Sequence, residues 1–181
     1  MGYGTGYLSG EEYIDTVMLS PDLVISQQSI GVAYHPGEFL LSTGVYADGI
    51  LGLGPVDLTI GTVNGTDTVP TVMDNLFSQG QVSNEMFGIY YLPFSKWSTT
   101  GEITFGGYDA SVIASQAPVY APLTTKEEAS YYWGIDLSIN YGHNSDTILP
   151  TTSGFVDSGT TLIYIASGKS YAGDRMVGNG R

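Results

Sequence analysis

The segment Phe155-Val156-Asp157-Ser158-Gly159-Thr160-Thr161-Leu162-Ile163 holds the residues best suited to chemistry. An apolar run delivers an aspartate directly into a Ser-Gly turn, and two hydroxyl residues follow. A carboxylate at that position stands at a strand end, within reach of backbone amides and of Ser or Thr hydroxyls, which fix its direction. A lone Asp-Ser-Gly is a common turn; the apolar flanks and the double threonine make this one specific.

Other chemistries find less support. His35 and His143 are isolated, with no His-Glu-x-x-His spacing, so no metal site is expected. Gly168-Lys169-Ser170 resembles the end of a phosphate loop, but Ile163 stands where that loop needs a glycine. The glycines of 1–6 and 49–54 lack dinucleotide spacing and a following helix. No Gly-x-Ser-x-Gly elbow is present, which leaves a serine hydrolase unsupported. Glu11-Glu12 and Glu127-Glu128 read as solvated charge. No cofactor is expected.

The elements that must position Asp157 read as strands. The 181 residues are 42% apolar and 13% charged, with 25 Gly and 14 Tyr, a composition that favours β structure with Gly-rich turns. Tyr3 to Val17 reads as a hairpin turning at Gly4-Thr5-Gly6, with a return arm from Tyr7 to Leu19. Leu23 to Ala33 is a second strand, and Gly49 to Gly54 a short buried apolar run. Val69 to Gln79 is the best helix candidate. Thr71 caps it, Val72, Leu76 and Phe77 share its apolar face, and Gly80 ends it. Further strands are expected at 87–92, 101–107, 119–123, 131–139 and 154–166, with a linker at 108–116.

Charge narrows the partners. A formal charge of −13 repels phosphate backbones and excludes nucleic acid as a natural partner. No apolar run reaches transmembrane length, so no membrane partner is expected. The absence of cysteine excludes disulfides and a thiol nucleophile. The first residues carry no signal-peptide pattern. Asn64-Gly65-Thr66 is a glycosylation sequon if the chain is secreted.

Val156-Asp157-Ser158-Gly159-Thr160-Thr161 resembles the second catalytic motif of the pepsin-like aspartic proteases. Further landmarks follow in the family's order. Tyr3-Gly4-Thr5-Gly6 resembles the tip of the flap that covers the substrate, and Ala47 to Gly54 the apolar loop of the N-terminal lobe. Gly101 to Asp109 resembles the approach to the lobe crossover, and Tyr132-Trp133-Gly134-Ile135 a strand of the second lobe. Gly54 to Thr59 and Asp74 to Gly80 are similar to cysteine-free members. The resemblance covers about residues 1–167.

It implies an all-β, incomplete two-lobed fold. Residues 1–113 are the remainder of the N-terminal lobe, 114–167 the start of the C-terminal lobe, and 168–181 a divergent, disordered tail. It implies an endopeptidase of polypeptide substrates, extracellular or vacuolar, and monomeric when complete. Asp157 is then one member of a catalytic pair. Gly159 gives its loop the tight turn, Thr160 and Thr161 bond that loop and the substrate backbone, Tyr3, Gly4 and Thr5 cover the substrate, and Ile50 and Tyr132 line apolar subsites. Position 157 holds the only Asp-Thr/Ser-Gly in the 181 residues. The chain alone is therefore expected to be inactive, to be truncated at both ends with a tail read from intron sequence, and to aggregate through open sheet edges. Two alternatives remain: a non-catalytic peptide- or protein-binding relative, and a homodimer pairing two copies of Asp157, which residues 1–113 fit poorly.

Overall fold

A computed structural model describes residues 2–3, 6–34, 48–92, 101–113, 117–142, 146–160 and 162–165. The chain divides into two compact units, Met1–Pro118 and Val119–Arg181. Strands dominate both, paired into antiparallel two-stranded ladders, with one seven-residue α-helix among the described residues.

In the first unit, β1 (Gly2–Tyr3) pairs with β2 (Gly6–Tyr7), Gly2 facing Tyr7 and Tyr3 facing Gly6. The expected return arm is not one strand. It breaks at Leu8-Ser9, and β3 (Gly10–Ser20) pairs instead with β4 (Leu23–Ala33). Pro21-Asp22 supplies the two-residue connection, with proline presetting the turn. The ladder carries a bulge where Ser26 and Gln27 oppose Thr16, and Gln27 takes a left-handed φ of 59°. β5 (Phe87–Tyr91) pairs with β6 (Gly101–Phe105), each within two residues of its expected ends.

The helix α1 (Val72–Ser78) is built as its sequence dictates. The Thr71 hydroxyl accepts the Asp74 N–H (3.4 Å) and the Asp74 carboxylate accepts the Thr71 N–H (2.7 Å), a reciprocal capping box. At the other end Gly80 adopts φ +68°, which turns the chain so that Gln81 N–H reaches Leu76 O at 2.9 Å. Val72, Met73 and Leu76 are buried against Ile25 of β4, with Leu19, Leu23, Val82, Phe87 and Phe105 around them. Phe77, one turn beyond Met73, reaches only the edge of that core at 43% exposure, and Met73 is buried in it. Each fully buried Leu or Ile stabilises by about 1.5–3 kcal/mol.

Side-chain amides tie α1 to the bulge. The Gln79 carboxamide accepts Ser26 N–H (2.9 Å) and donates to Ser26 O (2.8 Å), satisfying backbone groups that the bulge leaves out of the ladder. Buried Gln28 accepts from Asn75 (3.0 Å) and donates to Pro70 O (3.3 Å).

The run Gly49 to Gly54 differs from expectation. It is neither strand nor buried; Ile50 and Leu51 are 48% and 44% exposed, and a Cβ at Gly49 or Gly52 would meet nothing within 4 Å. Apolar composition alone does not bury a segment that has no ladder to join.

In the second unit, β7 (Gly134–Tyr141) pairs with β8 (Asp146–Phe155). β8 begins eight residues before its expected start at Gly154 and ends before Asp157. Its ladder accommodates Pro150 in a bulge, where Pro150 and Thr151 oppose Ser138. The expected strand 119–123 contributes only a single bridge, Leu123 to Ile135, and a 3-10 turn, Ala129–Tyr131, occupies the start of the expected strand 131–139. The tail 168–181 lies outside the described residues.

Candidate active site

Asp157 stands just past the end of the β7–β8 ladder. Gly134 faces Phe155 in the last ladder pair, and Val156 N–H extends the pairing by one bond to Trp133 O (3.0 Å). The chain then leaves the sheet and turns. Asp157 Oδ1 accepts the Gly159 N–H (2.8 Å), and Oδ2 accepts the Thr160 hydroxyl (2.5 Å). Thr160 N–H closes the turn on Asp157 O at 3.4 Å. Both carboxylate oxygens are thereby oriented by groups two and three residues away, while Asp157, Ser158, Gly159 and Thr160 are all exposed. An exposed, directionally fixed carboxylate can take or give a proton to a water lying on its open side.

The support beneath this turn is specific. A Cβ on Gly134 would lie 2.2 Å from Ala129 O and 2.8 Å from Thr124 Cγ2, so only glycine fits where β7 starts. Thr124 N–H bonds to Gly134 O (2.9 Å), and the buried Thr124 hydroxyl donates to Asp136 (2.8 Å). The rings of Tyr132 and Phe155 stack with centroids 4.5 Å apart and planes at 21°, which holds the end of β8 against the segment before β7.

Beside them lies an open cleft of about 470 Å3, lined by Glu127, Glu128, Tyr131, Tyr132, Ser153 and Phe155, among others. As sequence the two glutamates read as solvated charge; the structure sets them at the cleft's edge. Glu128 holds a left-handed φ of 73°, a conformation that costs a non-glycine residue about 1 kcal/mol or more. No spacing or motif signals that backbone geometry.

Of the other sequence-predicted residues, Tyr132 joins the support of Asp157 through Phe155, at 39% exposure. Gly159 and Thr160 hold the carboxylate itself. Ile50 lies in the first unit and is half exposed. Tyr3 belongs to β1 through its backbone, and Asn64 occupies an exposed turn. Gly4, Thr5 and Thr161 lie outside the described residues, as do His35 and His143. Among the described residues no three His, Cys, Asp or Glu side chains group as metal ligands, and no helix is long and apolar enough to cross a membrane.

Residues 1–177 match the family model for eukaryotic aspartyl protease. The chain is 49% identical over 168 residues to polyporopepsin of Irpex lacteus, covering 91% of this chain and 47% of that protein. It is 37% identical over 171 residues to rhizopuspepsin-4 of Rhizopus niveus, covering 92% and 39%. To cathepsin E-A of Xenopus laevis it is 35% identical over 163 residues, covering 89% and 38%. The crystal structure of an aspartic proteinase from Irpex lacteus superposes with a TM-score of 0.85 at 46% identity, over 98% of this chain and 50% of that one. The chain thus spans about half or less of the length of these relatives.

Proposed function

The chain belongs to the eukaryotic aspartyl protease family, and we propose that it is part of an aspartic endopeptidase in which Asp157 is one of two water-activating carboxylates. The observation that carries this reading is the pinned carboxylate: each oxygen of Asp157 accepts one hydrogen bond from its own turn, at 2.8 and 2.5 Å. That arrangement fixes the direction of the acid and leaves its remaining lone pairs to solvent.

The chemistry follows from two carboxylates sharing one proton. Like charges at close range keep one ionised and one protonated. The ionised member takes a proton from the water as its oxygen attacks the scissile carbonyl carbon. The protonated member gives its proton to the carbonyl oxygen. The tetrahedral diol then collapses, the C–N bond breaks, and the leaving amine takes up a proton. Gly159 and Thr160 hold Asp157, Thr161 and Thr160 meet the substrate backbone, and Tyr3, Gly4 and Thr5 cover it as an added strand. Ile50 and Tyr132 offer apolar surface to substrate side chains.

Residues 1–113 belong to the N-terminal lobe and 114–167 begin the C-terminal lobe. The complete enzyme is monomeric and works outside the cell or in a vacuole. With a single Asp-Thr/Ser-Gly in 181 residues, the chain alone lacks half of the pair and does not reach full rate. The same observation favours the second reading, a peptide-binding relative without catalysis.

Incubating the chain with an unfolded protein at acidic pH separates these readings. The chain alone is expected to leave the substrate intact, and cleavage is expected once a partner segment supplies the second Asp-Thr/Ser-Gly. Full-rate cleavage by the chain alone would refute the two-aspartate reading. Substrate binding that never leads to cleavage, even with the second aspartate supplied, would establish the binder.

A further inference from the structure

The loop joining the 3-10 turn Val56–Thr59 to α1 is closed at its base and open at its tip. At the base, the Thr59 hydroxyl accepts Val69 N–H (2.8 Å) and donates to Val56 O (2.7 Å). The Thr62 hydroxyl donates to Thr59 O (2.7 Å). At the tip, Val63 O accepts both the N–H and the hydroxyl of Thr66, at 3.4 and 3.3 Å. Asn64 and Gly65 are the two central residues of that turn, and Gly65 adopts φ +84°, a left-handed geometry that glycine takes without strain. Asn64, Gly65, Thr66 and Asp67 are all exposed, and a Cβ at Gly65 would meet nothing within 4 Å.

Asn64-Gly65-Thr66 is therefore a sequon presented on a fixed, solvent-facing turn that joins no ladder or helix. The core residue next along the chain, Val72, lies beyond the Thr59–Val69 closure. A bulky polar group on the Asn64 amide displaces no packed side chain.

We infer that Asn64 carries an N-linked oligosaccharide, an assignment that rests on the extracellular or vacuolar reading above. In the transfer, Asn64 Nδ2 bonds to C1 of the terminal sugar of a lipid-pyrophosphate-linked oligosaccharide. The C1–O bond to the pyrophosphate breaks, the lipid pyrophosphate departs, and the amide nitrogen loses one proton. The hydroxyl of Thr66 completes the acceptor motif.

The test supplies the compartment, so that its result bears on the site alone. The full chain is expressed in yeast behind a cleavable secretion leader, and leader-cleaved chain is recovered from both medium and cells. Amidase release of glycans in heavy-oxygen water converts an occupied Asn64 to labelled Asp, read by mass spectrometry. Labelled Asp at position 64 is expected in most of the chain, with loss of the label in Thr66→Ala and its retention in Thr66→Ser. Unlabelled Asn64 in leader-cleaved chain would overturn the assignment while leaving the protease reading intact. Full labelling in Thr66→Ala would overturn it equally. A glycosylated Asn64 here, with the native gene's product confined to the cytosol, would instead count against the extracellular or vacuolar reading.

Discussion

The helix α1 with its bulged partner strand, and the turn that carries Asp157, hold their polar groups in opposite ways. Around α1 the decisive bonds span long stretches of chain: Gln79 to Ser26 across 53 residues and Asn75 to Gln28 across 47. At Asp157 the bonds reach two and three residues, to Gly159 and Thr160, and all partners are exposed. The first region stabilises; the second aims. A scaffold needs contacts distant in sequence, because only these remove apolar surface from water and link separate elements. At Asp157 a local turn orients the carboxylate and leaves it accessible.

Leu76→Ala tests the scaffold side most severely. Its side chain is fully buried among Ile25, Val72 and Met73, and its truncation is expected to cost about 2–5 kcal/mol in urea unfolding. A loss below 1 kcal/mol would mean that α1 is not the centre of this core. Gln79→Ala removes three bonds to Ser26, for an expected loss of about 1–2 kcal/mol. Faster hydrogen exchange should appear at the Ser26 amide in particular. On the other side of the comparison, Thr160→Val deletes a bond to an exposed carboxylate, and stability should change by no more than about 0.5 kcal/mol. A larger change would make the turn part of the scaffold.

The smallest expected effect lies at the open end of β3–β4. Hydrogen bonds from the hydroxyls of Tyr13 and Tyr34 hold the Glu11 carboxyl below its ordinary range, and Glu11 in turn raises both phenols. A depressed carboxyl contributes stability above its unfolded pKa and loses it as pH falls through the folded value. A raised phenol contributes below its unfolded pKa and loses that as pH rises through the folded value. The cluster therefore acts between the two ranges. Protection of the amides near Tyr34, measured against their intrinsic exchange rate at each pH, should fall only at the acid and alkaline ends. Glu11→Gln should flatten the acid limb, and an unchanged limb would show that the cluster does not matter.

The same contrast explains what the sequence made legible. Asp157, Gly159 and Thr160 are adjacent in sequence, so their mutual geometry is written in one short motif. The capping box of Thr71 and Asp74 is local for the same reason, and the position of α1 follows from it. The sequence pattern places the strand only from Gly154, whereas pairing with β7 extends β8 back to Asp146 and tolerates Pro150 through a bulge. Ile50 and Leu51 mislead in the opposite direction, since apolar character signals burial but not a partner to bury against. The Tyr132–Phe155 stack leaves no local signal, because it depends on where two distant segments meet, and the close approach of Gly134 to Ala129 follows from a 3-10 turn that no motif announces.

The central claim is that Asp157 is half of a water-activating pair, and the chain supplied with a segment carrying a second Asp-Thr/Ser-Gly tests it most directly. Peptidase activity at acidic pH is compared between the wild type and Asp157→Asn, alongside the urea midpoint of each. The account predicts that activity falls by about 10²–10⁴-fold or more while the midpoint stays unchanged. A variant that folds and cleaves like the wild type would contradict it.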